Sequence, residues 1–170
     1  MHPYATDSEE RRIVPLGLGG LASLSVYGLY WFLNYSQLQD KLWWIEIPSV
    51  AGFYGIYWWL FDQWVWRWRV LRILHVVRVP DLNGHWSGTG ESSYRDAAGN
   101  RTRFNVLDVE IRQRWTHMSV WFRLQQSRSR SLIGAVTIHD GQHPSLTYEY
   151  RNDPAPHAPE PMHVHPGMAV

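Results

Sequence analysis

The hydrophobic pattern divides the chain into an apolar first part and a strand-like second part. Residues 13–33 are 21 consecutive residues without a charge. As a helix they span roughly 30 Å, the thickness of a bilayer core. A buried core helix seldom needs so long an apolar run. A cleaved signal peptide fits poorly, because its apolar run is usually about 7–15 residues and because acidic residues precede this one. The pattern therefore predicts a membrane-spanning helix over 13–33.

A second apolar segment, residues 43–66, has an uncharged centre of 15 residues at 47–61. Glu46 and Asp62 flank this centre, and the tryptophans near them are typical of the membrane–water interface. We therefore predict a second membrane-spanning helix over 43–66. Because the link at residues 34–42 is short, the two helices are expected to form a hairpin.

The cationic residues give this hairpin, residues 13–66, an orientation. Arginines occur in the N-terminal tail, residues 1–12, and in a basic, aromatic linker at residues 67–79, whereas the link between the helices contains only Lys41. The positive-inside rule then places both ends of the hairpin in the cytoplasm. Residues 65–79 are expected to continue the second helix and to meet anionic headgroups through their arginines.

From residue 80 onward the apolar positions recur every second residue, which is typical of half-buried strands. In "FNVLDVEIRQRW", residues 104–115, the apolar side chains and Gln113 share one face and the charged side chains share the other. Further strands are expected in "NGHWSGTGESSY", "THMSVWFRL", "LIGAVTIH" and "SLTYEYR", separated by turns such as "RDAAGN" and "DGQHP". About five strands with hairpin-length links predict an antiparallel β-barrel, a minimal lipocalin-like meander, over residues 80–170.

Polar residues occupy apolar positions of these strands. Gln113 lies on the apolar face of its strand, and Tyr148 and Tyr150 bring hydroxyl groups to theirs. Buried amides and hydroxyls cost free energy unless they are hydrogen-bonded. Either these groups satisfy one another or lie at an open rim, or together they line a cavity that holds a polar ligand. Taken as a set, they favour the cavity.

The net charge and the amino-acid composition exclude several classes of function. The net charge of +1 does not fit a general binder of DNA or RNA polymers, which usually carries a marked basic excess. The absence of cysteine excludes disulfides and thiolate metal sites. Of the 11 tryptophans, eight lie in the first 68 residues, which is typical of segments at a membrane interface.

Neither an enzyme nor a metal protein is indicated. Ser131, His139 and Asp140 could be drawn as a hydrolytic triad, but adjacent residues of a strand point to opposite faces, so the last two are not an oriented pair. No nucleophile elbow or phosphate-binding loop occurs. The Pro-rich segment near the C-terminus offers His157, His163 and His165. It supplies no fixed further ligand. We expect no metal and no cofactor.

The order of segments carries a resemblance to a known family. Two helices, followed by "PDLNGHWSGTG", "VEIRQRW", "SRSRS" and "LTYEYRNDP", resemble the two-transmembrane β-barrel effectors of bacterial cyclic-oligonucleotide antiphage (CBASS) systems, over essentially the whole chain. The resemblance implies a multi-pass protein of the bacterial inner membrane, with both termini in the cytoplasm. Its barrel would bind a cyclic dinucleotide made by a cognate nucleotidyltransferase. The protein would then form homo-oligomers and disrupt the lipid bilayer, which causes abortive infection.

Such a ligand has two phosphates and two bases, and three groups of residues suit it. Phosphates need cationic or hydroxyl donors, bases need flat side chains, and base edges need amides. The candidate ligand-binding residues are Arg112, Arg128, Arg130, Ser127, Ser129 and Ser131 for phosphate, Trp86, Trp115, Tyr148 and Tyr150 for stacking, and Gln113 and Asn152 for base edges. Alternation places Arg112 and Gln113 on opposite faces, so both can face one interior only if the strand bulges.

The chain departs from the family pattern after "PMHVHPGMAV", where the family continues with further strands that close the barrel. We therefore expect the barrel to be incomplete at its C-terminus, in a fragment or a natural truncation. Two other functions stay open. A membrane-tethered, lipocalin-like lipid carrier would share the architecture and hold an apolar ligand, and a structural interaction protein would hold none. The polarity of the inner wall distinguishes these possibilities.

Overall fold

The computed structural model describes residues 1–36, 48–95, 99, 101–124, 127–138, 143–154 and 165–170. The chain forms two compact units. One, residues 8–78, is helical. The other, residues 1–7 together with 79–170, is a β-sheet.

The helical unit contains α1 (Glu10–Tyr35), α2 (Val50–Gln63), a 3₁₀ turn (Val65–Arg67) and α3 (Arg69–Ile73). Within the described residues, α1 is the one helix whose length and composition would allow it to cross a membrane. This helix contains the predicted first span. Its serine hydroxyls bond to carbonyls one turn earlier, as Ser25 does to Leu21 at 2.9 Å, and these bonds satisfy polar groups within the helix.

Helix α2 is shorter than the predicted second span. It begins after Ser49, whose side chain accepts a hydrogen bond of 3.2 Å from the Gly52 N–H, as an N-cap does. Residues 43–47 of the span and most of the link at 34–42 lie outside the described residues. The two helices pack together, and Ser25 Oγ lies 2.7 Å from the Tyr57 hydroxyl.

The prediction that residues 65–79 continue the second helix is wrong. Helix α2 ends at Gln63, and Trp64 has φ −136° and ψ −44°, outside the helical range. Trp68 is extended, with φ −62° and ψ 130°. These two residues separate α2, the 3₁₀ turn and α3, so the segment is a broken series of short turns. The far end of the unit is tied to its start, since the Arg78 N–H donates to the buried Glu10 carboxylate.

Seven strands form one curled sheet, a half-barrel. The strands are β1 (His2–Thr6), β2 (Gly84–Arg95), β3 (Arg101–Gln113), β4 (His117–Arg123), β5 (Ser127–Thr137), β6 (Ser145–Pro154) and β7 (His165–Ala169). From β2 to β7 the chain follows the predicted meander, and each strand is antiparallel to the next. An apolar helix and an antiparallel, barrel-like sheet are therefore confirmed.

Strand β1 is inserted between β4 and β5, which the sequence pattern did not predict. Strands β4 and β5 pair directly only near their hairpin, at 121–123 with 128–130. Farther along they separate, and β1 fills the gap. It pairs antiparallel with β4 through His2 and Pro3 and parallel with β5 through residues 4–6. The strand that immediately precedes α1 is thus part of the sheet.

The sheet is open in the described part of the chain, where β2 and β7 are the ends of the strand order and do not pair with each other. One face, here called the inner face, carries the buried side chains. Ile111 and Gln113 of β3 are buried on it, opposite Val120 and Met118 of β4. The charged side chains of the same strands lie on the other side, the outer face, as the alternation predicts.

Candidate functional site

Strand β5 divides the predicted site residues between the two faces. The serines at 127, 129 and 131 are buried, whereas Arg128 and Arg130 are exposed. Arg112 is also exposed, and its Nε donates to Glu110 at 2.6 Å. The register between β3 and β4 is continuous from Asp108 to Gln113, so the bulge that would turn Arg112 inward does not occur. The side chains of the three arginines therefore lie on the face opposite to the serine side chains.

Ser129 and Asn152 form a buried pair across β5 and β6. They are directly opposite in the register, and Ser129 Oγ donates to Asn152 Oδ1 at 2.8 Å. Their exposures are 2% and 5%. This bond uses the carbonyl oxygen of the amide. The Nδ2 group retains its N–H donors, which suit a phosphate oxygen or the edge of a base.

Ser131 joins three strands on the same face. Its hydroxyl accepts a hydrogen bond of 2.8 Å from the Val120 N–H of β4, and His2 Nε2 of β1 lies 2.7 Å from it. The backbone N–H of Val120 has this partner because β4 and β5 have already separated here. Ser131 is also opposite Tyr150 of β6. The hydroxyl therefore connects the inserted strand to the aromatic part of the inner face.

That aromatic part consists of Phe122, Tyr148 and Tyr150. The Phe122 and Tyr150 rings meet edge to face with centroids 5.4 Å apart, and the two tyrosine rings are 6.1 Å apart and tilted by 54°. Gly167 of β7 is opposite Tyr150, and a Cβ atom built on this glycine would lie 2.5 Å from the tyrosine hydroxyl oxygen. The glycine thus leaves the space that the Tyr150 ring occupies.

Burial raises the pKa of the Tyr148 hydroxyl, and the nearby Tyr150 raises it further. A phenol in a less polar environment resists ionisation because the charged form loses solvation. The group therefore remains neutral at physiological pH, where it donates a hydrogen bond and does not repel an anion.

Gln113 and Trp115 lie in the core of the sheet. Gln113 is 1% exposed and Trp115 is 0% exposed. Gln113 Oε1 accepts from the Leu82 N–H at 2.8 Å, and its Nε2 donates to the Tyr4 hydroxyl at 3.2 Å. Trp86, in contrast, is half exposed on β2, and its indole N–H donates to the Leu82 carbonyl at 2.9 Å. Of the two predicted tryptophans, only Trp86 presents its ring at the surface.

Most of the residues considered for catalysis and metal binding lie outside the described part of the chain. Ser131 contacts His2, and the proposed partners His139 and Asp140 lie outside the described residues, as do His157 and His163. Among the residues that are described, no group of three His, Cys, Asp or Glu side chains could hold a metal ion.

Sequence reasoning missed the contribution of the N-terminus to this face. His2 and Tyr4 reach Ser131 and Gln113 from β1. The alternation in "HPYAT" covers only five residues, which is too short to separate a strand from a tail. The contact of Gly167 with Tyr150 was not predicted either, because a single glycine in a strand does not indicate which side chain packs over it.

A family of known proteins matches the part of the chain that contains strands β2 to β7. The model of a protein family described as "Cap15, cyclic dinucleotide receptor domain" matches residues 77–170. This range is more than half of the chain, and it contains strands β2 to β7 and all the predicted site residues. No curated protein and no solved structure matches the chain.

Proposed function

The chain belongs to the Cap15 cyclic dinucleotide receptor family of CBASS effectors, and from this premise we propose that it senses a cyclic dinucleotide on the inner face of its half-barrel. The observation that carries the proposal is the match over residues 77–170, which begins just before the sheet and includes both tyrosines of β6. The protein is thus proposed to be a sensor, with the nucleotide as its activating ligand and without a catalytic role or a cofactor.

The inner face has suitable chemistry for such a ligand. Tyr148 and Tyr150 offer two rings at an angle to each other, and purine or pyrimidine bases stack on aromatic side chains with about 1–3 kcal/mol per base. The neutral Tyr148 hydroxyl and the Asn152 Nδ2 group are donors for phosphate oxygens. In this proposal the phosphates are held by neutral donors, since the candidate arginines are on the outer face.

Strand β1 offers a route from the ligand to the helices. It lies beside β5 and immediately precedes α1 in the chain. The other connection, after residue 78, is held through Leu82 by Gln113, which also bonds Tyr4 of β1. We propose that ligand contacts on β5 and β6 move β1 and thereby the start of α1. Neighbouring copies then assemble in the inner membrane and disrupt it, and the infected cell stops growing.

The topology belongs to the same proposal. Helix α2, with the preceding apolar residues, would complete a second span, so that the protein is multi-pass and both termini are cytoplasmic. The ligand would come from a cognate nucleotidyltransferase. A cysteine introduced on either side of α1 and probed with an impermeant thiol reagent would test this, since the chain has no other cysteine. Labelling, from outside the cell, of a cysteine introduced after residue 80 would contradict the proposal.

Ligand binding is tested with the full chain in an uncharged detergent, by its thermal shift against a panel of cyclic dinucleotides. One member should raise the melting temperature in a concentration-dependent way. Asn152→Ala and Tyr150→Leu should weaken that ligand at least tenfold, by loss of one hydrogen bond and one stacking surface. Thr147→Val, on the outer side of the same strand opposite Ala135, is the matched control and should bind normally. A shift with fatty acids alone would favour the lipid carrier.

Assembly is tested separately by chemical crosslinking of the full chain in membranes, with and without the nucleotide. Larger species should appear only with ligand, and the Asn152→Ala variant should need a correspondingly higher nucleotide concentration to form them. A distribution of species that the ligand leaves unchanged would contradict the assembly step without affecting the binding site.

A further inference from the structure

The outer face of the sheet has a polar depression of its own. Its volume is about 240 Å³, and it lies over β4, β5 and β6. The residues that line it are Trp121, Arg128, Ser129, Arg130, Arg151 and Asp153. Trp121 is 46% exposed, which is unusual for so large an apolar side chain in the middle of a sheet.

The register brings like charges together around this depression. Arg123 of β4 is directly opposite Arg128 of β5, and Arg130 of β5 is directly opposite Arg151 of β6. Like charges at directly opposed positions destabilise a pair of strands. Arg123 and Arg128 each have an acid opposite on their other side, whereas Arg130 has Trp121 there. The repulsion between Arg130 and Arg151 is therefore the one that an anion would lessen most.

The nearby acids neutralise these arginines only in part. Asp153 lies 3.1 Å from Arg151, Glu110 lies 2.6 Å from Arg112, and Asp108 lies 3.1 Å from His85. Within the part of the chain that the structure describes, ion pairs engage none of the arginines at 123, 128 and 130. The depression is thus lined by two exposed cations, Arg128 and Arg130, and an exposed indole, with the Arg151–Asp153 ion pair beside them.

We propose that this depression binds the phosphate of an anionic lipid headgroup, with Arg128 and Arg130 as donors and Trp121 beside them. Arginine binds phosphate through paired N–H groups, and tryptophan favours the headgroup level of a bilayer. The depression is smaller than the roughly 300–1,000 Å³ of sites for drug-sized ligands, so it fits a headgroup and not a ring of two nucleotides. The same chain carries α1, whose length and composition would allow it to cross a membrane.

The proposal separates two anion sites on opposite faces of one sheet, and it does not require that the inner face bind a nucleotide. The receptor sheet would be held at an anionic membrane surface by its outer face, while the inner face remains available. Juxtamembrane cations interact with anionic leaflets in the same way elsewhere in membrane proteins. Here the cations belong to a folded sheet, so they recognise a headgroup at a fixed spacing.

The test uses the full chain in uncharged detergent, titrated with short-chain phosphatidylglycerol or short-chain phosphatidylcholine and followed by thermal shift. Phosphatidylglycerol should bind more tightly than phosphatidylcholine, because the positively charged choline group would be repelled by the arginines. The Arg128→Gln, Arg130→Gln double variant should bind phosphatidylglycerol about thirtyfold more weakly, as expected for two lost cations. Arg112→Gln is the matched control, since it lies on the same face and is already paired with Glu110. Its affinity should stay within about twofold of the wild type.

A second measurement separates the site from a structural role of the arginines. Without lipid, Arg130→Gln relieves the repulsion from Arg151 and has no acid directly opposite, so its melting temperature should equal or exceed that of the wild type. A lower melting temperature would overturn the proposal. So would equal affinity of the double variant for phosphatidylglycerol, or equal loss in Arg112→Gln. Loss of cyclic dinucleotide binding with retained lipid binding would assign the depression to the nucleotide instead and would also overturn it.

Discussion

Gln113 Nε2 donates a hydrogen bond of 3.2 Å to the hydroxyl of Tyr4, a residue that is 109 positions away in sequence. The same amide accepts from the Leu82 N–H through Oε1. Tyr4 lies just before the helical unit in the chain, and Leu82 lies just after it. A single buried side chain therefore fixes both places where the chain enters and leaves the sheet.

Replacing Gln113 by Leu should destabilise the sheet by about 2–4 kcal/mol, because the partly buried Leu82 N–H and the buried Tyr4 hydroxyl each lose a partner. Tyr4→Phe takes this partner from the Gln113 Nε2 group but keeps the bond to Leu82, so it should cost less, about 1–3 kcal/mol. The free energy of unfolding of the full chain in uncharged detergent, measured with urea, checks both values. Equal losses for the two variants would show that the Leu82 bond contributes little.

Ser131 should matter more to stability than Ser127, although both are buried serines of β5. Ser131→Ala leaves the buried Val120 N–H without its acceptor, which costs about 1–3 kcal/mol. The Ser127 backbone carbonyl accepts a hydrogen bond from the Leu124 N–H. Ser127→Ala preserves this bond, since it does not involve the side chain. Urea unfolding of the two variants should therefore differ by at least about 1 kcal/mol. If both alanine variants unfold alike, the seam between β4 and β5 does not depend on this hydroxyl.

The sequence was informative where one period extends over many residues. The alternation around Ile111 and Gln113 predicted the strand, its faces and the outward position of Arg112, and all three are observed. The uncharged run at 13–33 predicted α1. In both cases a local pattern is long enough to exclude the other secondary structure.

Other features depend on contacts that are distant in sequence. The insertion of β1 follows from a gap between β4 and β5, and such a gap cannot be read from the five residues that fill it. The candidate serines and arginines of β5 lie on opposite faces for a simpler reason. Consecutive residues of "SRSRS" alternate between faces, so only a bulge could have united them.

The contact between Gly167 and Tyr150 predicts a variant that weakens both folding and ligand binding. In Gly167→Ala the new methyl group would lie 2.5 Å from the Tyr150 hydroxyl oxygen, so the ring must rotate away. We expect a loss of stability of about 1–3 kcal/mol, as for other overpacked sites, and a loss of nucleotide affinity of at least tenfold, because the stacking surface moves. Thermal shift with and without the nucleotide measures both quantities.

Gly134→Ala is the control for that variant. Its methyl group would lie 3.2 Å from the Met118 sulfur, and a flexible thioether can yield by a few tenths of an ångström. The nucleotide affinity should therefore change by less than about threefold. An unchanged affinity in Gly167→Ala itself would show that the Tyr150 ring is not part of the ligand site.

The two tyrosines of β6 also make the stability of the sheet dependent on alkaline pH. Burial, and then Tyr150, raise the pKa of Tyr148 in the folded protein above its ordinary value of about 10. Below pH 10 the hydroxyl is protonated in both states and the full stability is present. As the pH rises above about 10, the unfolded chain loses this proton first, so the unfolded state is stabilised and the free energy of unfolding falls. Tyr148→Phe should flatten the fall above about pH 10, and Tyr150→Phe should reduce it less, since burial is the larger cause. Urea unfolding at a series of pH values, with Tyr35→Phe in α1 as the control, measures the slope. An equal slope in wild type and Tyr148→Phe would mean that this hydroxyl ionises as easily in the folded sheet as in the unfolded chain.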